Sequence, residues 1–254
     1  MHNFRKQQNE KAYWLYGKHS VLSALNNPNR KITQLLVTNN SIKFFNLKNI
    51  DIKDLGVNYK IIQKEEISRI IEMPGVLHQG VALKVLPIIQ RSFYEMLQIL
   101  KQKQKSIVVI LDQILDPHNI GAIIRTAAAF GVDVVINTKN NSPEENSTLV
   151  KSSSGAFEII PYIQVVNLIS TIKELKSIGY WVIGLTHTAN SNINNISLDF
   201  EKIAIILGSE EKGLRKLSSK HCDLLTRINI SNSVESLNVS NAAAIALHKI
   251  ALNL

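Results

Sequence analysis

Cysteine is all but missing from this chain. Cys222 stands alone among 254 residues, so neither an internal disulfide nor a cysteine-based zinc cluster can form. It sits between His221 and Asp223, but no further ligand has metal spacing. A partly buried thiol is the expected role, ahead of a metal ligand or a nucleophile. Long apolar runs are missing too, and nothing approaches the ~18 consecutive apolar residues of a transmembrane helix. The N-terminal MHNFRKQQNEKAYW is polar and basic with no apolar segment, which argues against a secretory signal. The expectations are therefore no membrane partner and a cytoplasmic location. Aromatic residues make up only 6% of the chain, and neither an aromatic-rich RNA-recognition motif nor a zinc finger is present. Acidic residues are scarce in the first part. Residues 1–105 hold 17 Lys and Arg against 7 Asp and Glu, whereas residues 106–254 hold 12 against 13. An excess confined to one part suggests a polyanion-binding module joined to a neutral one, although a solvated basic surface would read the same way.

What is present is an alternation of helical and strand patterns with 45% hydrophobic residues, enough for a sizeable core. Residues 1–12 read as a basic tail. Trp14–Leu25 combines a short apolar start with a helical pattern, and Asn26–Arg30 is a turn. Ile32–Thr38 reads as a strand, Leu47–Leu55 as a helix and Tyr59–Ile62 as a short strand. Lys64–Ile71 is helical and stopped by Pro74-Gly75, and His78–Leu86 is strand-like. Residues 13–87 thus make a small α/β domain. Residues 88–105 are expected to be a linker, part helical, with a polar Lys/Gln-rich end.

Residues 106–254 form a second α/β domain. Ser106–Leu111 (SIVVIL) has the wholly apolar signature of a buried parallel strand. A loop over Asp112–Asn119, a helix over Ile120–Phe130 capped by Gly131 and a strand over Val132–Ile136 complete a right-handed βαβ crossover. Further strands are expected at Phe157–Pro161, Trp181–Leu185, Ala204–Leu207 and Leu225–Ile230, with a helix across Asn167–Ile178 and a closing helix. The sheet is mostly parallel.

Three stretches of this domain carry polar residues at positions suited to chemistry. In Leu111–Gly131, Asp112, Asp116, His118 and Asn119 follow a buried strand, where α/β proteins bind ligands. Arg125 lies in an otherwise apolar helix, as a structural ion pair or as a buried-rim arginine aimed at a phosphate. His118 reads as a base or as a surface residue. In Ala204–Leu214 the strand ends in Gly208, which lets a ligand approach the backbone. Gly208-x4-Gly213 runs into Leu214-Arg215 where a Walker A motif needs Lys-Ser/Thr, and a GxGxxG fingerprint is absent, so neither NTPase nor NAD-dependent chemistry is favoured. Glu210 and Glu211 also suit a plain helix N-terminus. In Ser231–Ala246 a polar loop becomes an Ala-rich helix, with Ser236, Asn238, Ser240 and Asn241 at the join.

Together, in this order and spacing, the stretches closely resemble the SpoU/TrmH family of RNA ribose 2′-O-methyltransferases in the SPOUT superfamily. Asp116-Pro117-x-Asn119-x-Gly121-x3-Arg125 is similar to the first family motif, Leu207-Gly208-x-Glu210-x2-Gly213 to the second, and Ser236-Leu237-Asn238-Val239-Ser240 to the third. Lys151-x3-Gly155-Ala156 matches a further family segment, as do Tyr16-Gly17 and His78-Gln79-Gly80, and those two N-terminal pieces with Asp116-Pro117-His118-Asn119 point to the branch that methylates a guanosine in 23S rRNA. The third motif usually opens Ile-Pro-Met-x-Gly. Here it reads Ile228-Asn229-Ile230-Ser231-Asn232, which gives up the proline's rigidity while Asn tolerates a left-handed backbone. The cofactor pocket is expected to survive.

The resemblance implies an L30e-like, RNA-binding N-terminal domain and a SPOUT α/β domain with a C-terminal trefoil knot. It implies S-adenosyl-L-methionine as cofactor, held around Thr186, Gly208, Ile228 and Leu237. It implies Arg125 as the catalytic arginine, framed by Asn119, Glu210, Ser236 and Asn238, and a homodimer. The implied acceptor is a ribose 2′-hydroxyl in 23S rRNA, free or in a precursor particle. A tRNA ribose 2′-O-methyltransferase and a non-catalytic RNA-binding or ribosome-assembly factor are the alternatives.

Overall fold

The computed structural model describes residues 11–252 apart from 74, 141, 197, 198 and 232. Most of the expected tail, Pro74 of the expected helix stop, and Asn232 of the third motif lie outside the described residues. The chain divides into two compact units. One takes the chain up to Ile89 together with Glu145–Glu158, and the other takes Gln90–Glu144 and Ile159 onward.

The first unit runs β1 (Tyr13–Tyr16), α1 (Lys18–Asn26), β2 (Ile32–Val37), α2 (Asn39–Asn46), β3 (Tyr59–Ile61), α3 (Lys64–Ile71) and β4 (Val81–Val85). Its sheet has the order β1-β4-β2-β3, with β4 antiparallel to both neighbours and β3 parallel to β2. The helix expected at Leu47–Leu55 is displaced to α2. Thr38 and Ser41 form a reciprocal capping box that starts the helix at Asn39. Past Asn46 the chain turns instead: Asn49 is left-handed at φ 57°, and the Asp51 carboxylate accepts the Lys53 N–H at 2.9 Å.

Glu145–Glu158 returns to this unit through buried Leu149, Val150 and Phe157 and through a buried charge cluster. The Arg30 guanidinium, its side chain 0% exposed, pairs with Glu145 and, at 2.6 Å, with Glu158. It also donates to the Leu86 carbonyl at 3.0 Å, while Asn27 donates to Glu158 at 2.7 Å and Tyr13 to Glu145. Burial opposes the Arg30 charge, but the hydrogen bond to Glu158 and the nearby negative groups outweigh it and raise the pKa.

In the second unit, α4 (Phe93–Gln102) precedes β5 (Ser106–Asp112), α5 (Pro117–Ala129) and β6 (Val134–Thr138). After α6 (Ser147–Ser152), which belongs to the first unit, come β7 (Tyr162–Val165), α7 (Leu168–Ser177), β8 (Trp181–Leu185), β9 (Ser191–Asn192), β10 (Lys202–Gly208), α8 (Lys216–His221), β11 (Leu224–Arg227) and α9 (Val239–Ala251). All seven strands are parallel, in the order β7-β6-β5-β10-β8-β11-β9. The β-branched run of β5 is buried on both faces, as the wholly apolar pattern requires.

Three expectations are corrected here. Residues 88–105 are not a bare linker: Ser92 and Glu95 cap α4 reciprocally, and Met96, Leu97 and Leu100 pack with Val108, Ile110 and Val134 in the core of this unit. The strand expected at Phe157–Pro161 begins at Tyr162, because Ala156–Glu158 is a 3₁₀ turn after left-handed Ser154 and Gly155. The last strand ends at Arg227, leaving Ile228–Ile230 in the loop that leads to α9.

Candidate functional site

Sheet order locates the site before any side chain is considered. From β5 the chain winds outward through β6 and β7 on one side, while β10 and β8 lie on the other. The direction of winding reverses between β5 and β10, and the loops leaving their carboxyl ends open a crevice there. Those loops carry the first two of the three stretches.

After β5, Asp112 is fully buried and does not face a ligand. Its carboxylate accepts from Arg215 Nε at 2.5 Å and from the Arg215 N–H at 3.1 Å, which ties the β5 end to the segment after β10. The helix starts earlier than expected. Asp116 is the N-cap of α5, accepting from the His118 N–H at 3.0 Å, with Pro117 in the first turn. Asn119 is thereby placed on the first turn of α5 instead of in a loop.

After β10 the chain folds back on itself. The Gly213 N–H donates to the Ser209 carbonyl at 2.8 Å, and a Cβ on Gly208 would stand 2.2 Å from the Gly213 carbonyl carbon. Only glycine permits that closure, which presents Glu210, Glu211 and Lys212 at the tip. The third stretch supplies Asn238 as the N-cap of α9, accepting from the Ser240 N–H at 2.9 Å.

These three loops converge through hydrogen bonds. Glu210 Oε1 accepts from Asn119 Nδ2 and from Asn238 Nδ2, each at 2.8 Å, and from the Val239 N–H at 3.3 Å. Asn238 Nδ2 also donates to Asn119 Oδ1 at 3.0 Å. One carboxylate oxygen is therefore held by three donors, and residues 91 and 28 positions apart from Glu210 meet at it.

Two cavities flank this junction. The first is an open pocket at the ends of β8, β10 and β11, lined by Thr186, Gly208, Glu210, Ile228, Ser236 and Leu237. All four residues expected around the cofactor line it. Its walls are largely aliphatic (Leu207, Ile228, Leu237, Ala242) with a few polar groups, the usual lining of a small-molecule pocket. Ile230 of the third motif's opening lines it as well, as do His187 and Ser209, which the sequence motifs do not single out. The second cavity, also open to solvent, is bounded by Gln113–Asp116, Asn119 and Ser209–Lys212. The two share Ser209, Glu210 and Val239 as a common wall.

Arg125 departs from expectation. It is exposed, not set at a buried rim, it lines neither cavity described above, and it has no ion-pair or hydrogen-bond partner among the described residues. The structural ion-pair reading has no counterion to rest on. Cys222 behaves as an inert packing group: burial pushes its thiol up to about 12, Asp223 adding to the effect, and it presses on the backbone at Gly184, where a Cβ would meet Sγ at 2.7 Å. Lys151 and Gly155 belong to the first unit. Lys151 Nζ lies 5.8 Å from the Tyr16 ring centroid, and a Cβ on Gly155 would stand 2.1 Å from Ser23 Oγ.

Comparison with known proteins divides the chain in sequence order, with Glu145–Glu158 inside the C-terminal match. The model of the SpoU rRNA methylase family matches residues 106–248, and that of the RNA 2′-O ribose methyltransferase substrate-binding region matches residues 14–88. The chain is 34% identical over 244 residues to the 23S rRNA (guanosine-2′-O-)-methyltransferase RlmB of Xylella fastidiosa, covering 94% of this chain and 96% of that one. It is 37% identical over 202 residues to an uncharacterized tRNA/rRNA methyltransferase of Borreliella burgdorferi, covering 76% and 87%. The crystal structure of the SpoU methyltransferase AviRb from Streptomyces viridochromogenes, in complex with the cofactor AdoMet, matches with a TM-score of 0.76 over 99% of this chain and 93% of that one. At 18% identity that likeness is one of fold.

Proposed function

We propose that this chain, which belongs to the SpoU rRNA methylase family of RNA ribose 2′-O-methyltransferases, methylates the 2′-hydroxyl of a guanosine in 23S rRNA with S-adenosylmethionine as donor. The observation that carries the reading is the junction of Asn119, Glu210 and Asn238 between two cavities that share a wall. One cavity suits the donor and the other the acceptor. The RlmB relative, named for a guanosine of 23S rRNA and matched over 94% of this chain, supports the 23S acceptor.

S-adenosylmethionine, when bound, supplies a methyl group already activated on a sulfonium. The protein's part is then to align the acceptor and to manage one proton. Backbone groups at Thr186, Gly208, Ile228 and Leu237 hold the donor in the first cavity. Glu210, fixed by its three donors, keeps the shared wall rigid, and Ser236 and Asn238 complete the polar frame. Arg125 engages the phosphate beside the acceptor. A guanidinium with a pKa above ~12 is a poor base, so its part is electrostatic: it lowers the cost of the 2′-oxyanion while the substrate phosphate takes the proton. The same reading includes a homodimer.

The test is methyl transfer from labelled S-adenosylmethionine to 23S rRNA and to bulk tRNA side by side, with products mapped by alkali resistance. One 2′-O-methylguanosine in 23S rRNA is expected. Arg125→Ala is expected to lower turnover by about two orders of magnitude or more with donor binding retained. Signal in tRNA alone would replace the acceptor. Near-normal turnover of Arg125→Ala would remove the arginine from the mechanism.

A further inference from the structure

The second cavity holds two charged side chains that the mechanism does not use. Of its acids, Asp116 is engaged as the cap of α5, and Glu210 is engaged by Asn119, Asn238 and Val239. Glu211 and Lys212 are different. Both line the cavity, both are exposed, and neither side chain has a hydrogen-bond or ion-pair partner among the described residues, not even the other. They stand side by side at the tip of a turn that Gly208 and Gly213 close tightly, so their backbone is fixed. Of the apolar residues that line the same cavity, Ile114 and Val239 are buried, whereas Leu115 is 53% exposed, a large aliphatic side chain open to solvent.

An unpaired carboxylate beside an unpaired ammonium, in a cavity that also exposes Leu115, fits one nucleobase better than the others. Guanine alone sets two donors, N1–H and an N2–H, next to each other on its Watson–Crick edge, with the O6 acceptor beside them. A carboxylate accepts both donors at once and an ammonium donates to O6. Adenine turns the lone pair of N1 toward the same carboxylate, cytosine that of N3, and uracil offers one donor between two carbonyls. Unstacked RNA bases are commonly read on this edge while a flat apolar surface covers the ring.

We infer that the second cavity receives the acceptor base itself, with Glu211 accepting from guanine N1–H and N2–H, Lys212 donating to O6, and Leu115 covering the ring. Base choice is then made by residues that do not touch the methyl group. This rests on the guanosine reading above and adds the residues that enforce it.

The experiment uses the full chain and 23S rRNA transcripts carrying guanosine, adenosine or, by splinted ligation, inosine at the mapped nucleotide. Inosine keeps O6 and N1–H and lacks only the N2 amino group. The wild-type protein is expected to favour guanosine over adenosine by about 10- to 100-fold in kcat/KM, and over inosine by a smaller factor. Glu211→Gln keeps the size and loses the charge. It is expected to lower guanosine turnover and to bring guanosine and inosine within about twofold of each other, while S-adenosylmethionine binding, read by titration, is unchanged. Lys212→Ala is expected to lower guanosine and inosine together, since both carry O6. Discrimination in Glu211→Gln equal to wild type overturns the inference and leaves the guanosine acceptor standing. Equal methylation of guanosine and adenosine transcripts by the wild type overturns both.

Discussion

Single residues at this site are constrained by what surrounds them. Gly208 faces the carbonyl of Gly213 so closely that a methyl group has no room. Gly208→Ala is expected to open the Ser209–Gly213 turn and weaken S-adenosylmethionine binding by tenfold or more in a calorimetric titration, with fold retained by circular dichroism. In the first unit, His78 is 1% exposed. Its Nδ1 accepts from the Gly80 N–H at 3.2 Å, so the proton sits on Nε2, which faces Ser68 Oγ at 3.0 Å. Burial lowers its pKa from the usual 6.5, with Lys64 adding to the effect. The unfolded chain therefore binds more protons below that value than the folded one. The stability His78 contributes is complete above pH ~6.5 and is lost as pH falls below it. Urea unfolding at pH 8 and pH 5 is expected to show that loss, and a His78→Gln variant to show less of it. The residues that meet at Glu210 were legible as types in the sequence. Their meeting came only through the family resemblance, because hydrogen bonds across 91 and 28 positions leave no local signature.

Elements were legible where a single physical signal dominated. The apolar run of β5 and the helical spacing of α3 appear where the pattern puts them. Boundaries set by side-chain capping were misplaced. Thr38 and Ser41 start α2 ahead of the apolar pattern, and Asp116 starts α5 before Ile120. α6 and α8, each of six residues, were not recognised because fewer than two turns show no periodicity. The cap on α5 also positions Asn119, so it links helix stability to the site. Asp116→Ala is expected to cost about 1 kcal/mol in denaturant unfolding. It is also expected to lower turnover more than that loss alone explains.

At the scale of the molecule, the change in charge balance gave a division near residue 105, and the return of Glu145–Glu158 to the first unit could not be read from it. That segment is held by charge as well as by buried Leu149, Val150 and Phe157. Replacing Arg30 by Met is expected to cost about 3–5 kcal/mol in chemical denaturation, because Glu145 and Glu158 then remain buried without a counterion. Adding Glu158→Gln to Arg30→Met is expected to recover part of it. The proposed homodimer predicts a mass by light scattering of twice 28.4 kDa.

The two glutamates that neutralise Arg30 arrive 115 and 128 residues after it. During synthesis the first unit emerges from the ribosome with that arginine unmatched. It reaches its final state only after β5, α5 and β6 of the second unit have followed. Synthesis order and folding order therefore part company here. A nascent chain stalled shortly after residue 105 should be cut readily by protease at its N-terminal part, and one stalled after Glu158 has cleared the exit tunnel should resist. An RNA-binding module expressed as residues 13–87 alone inherits the same unmet charge.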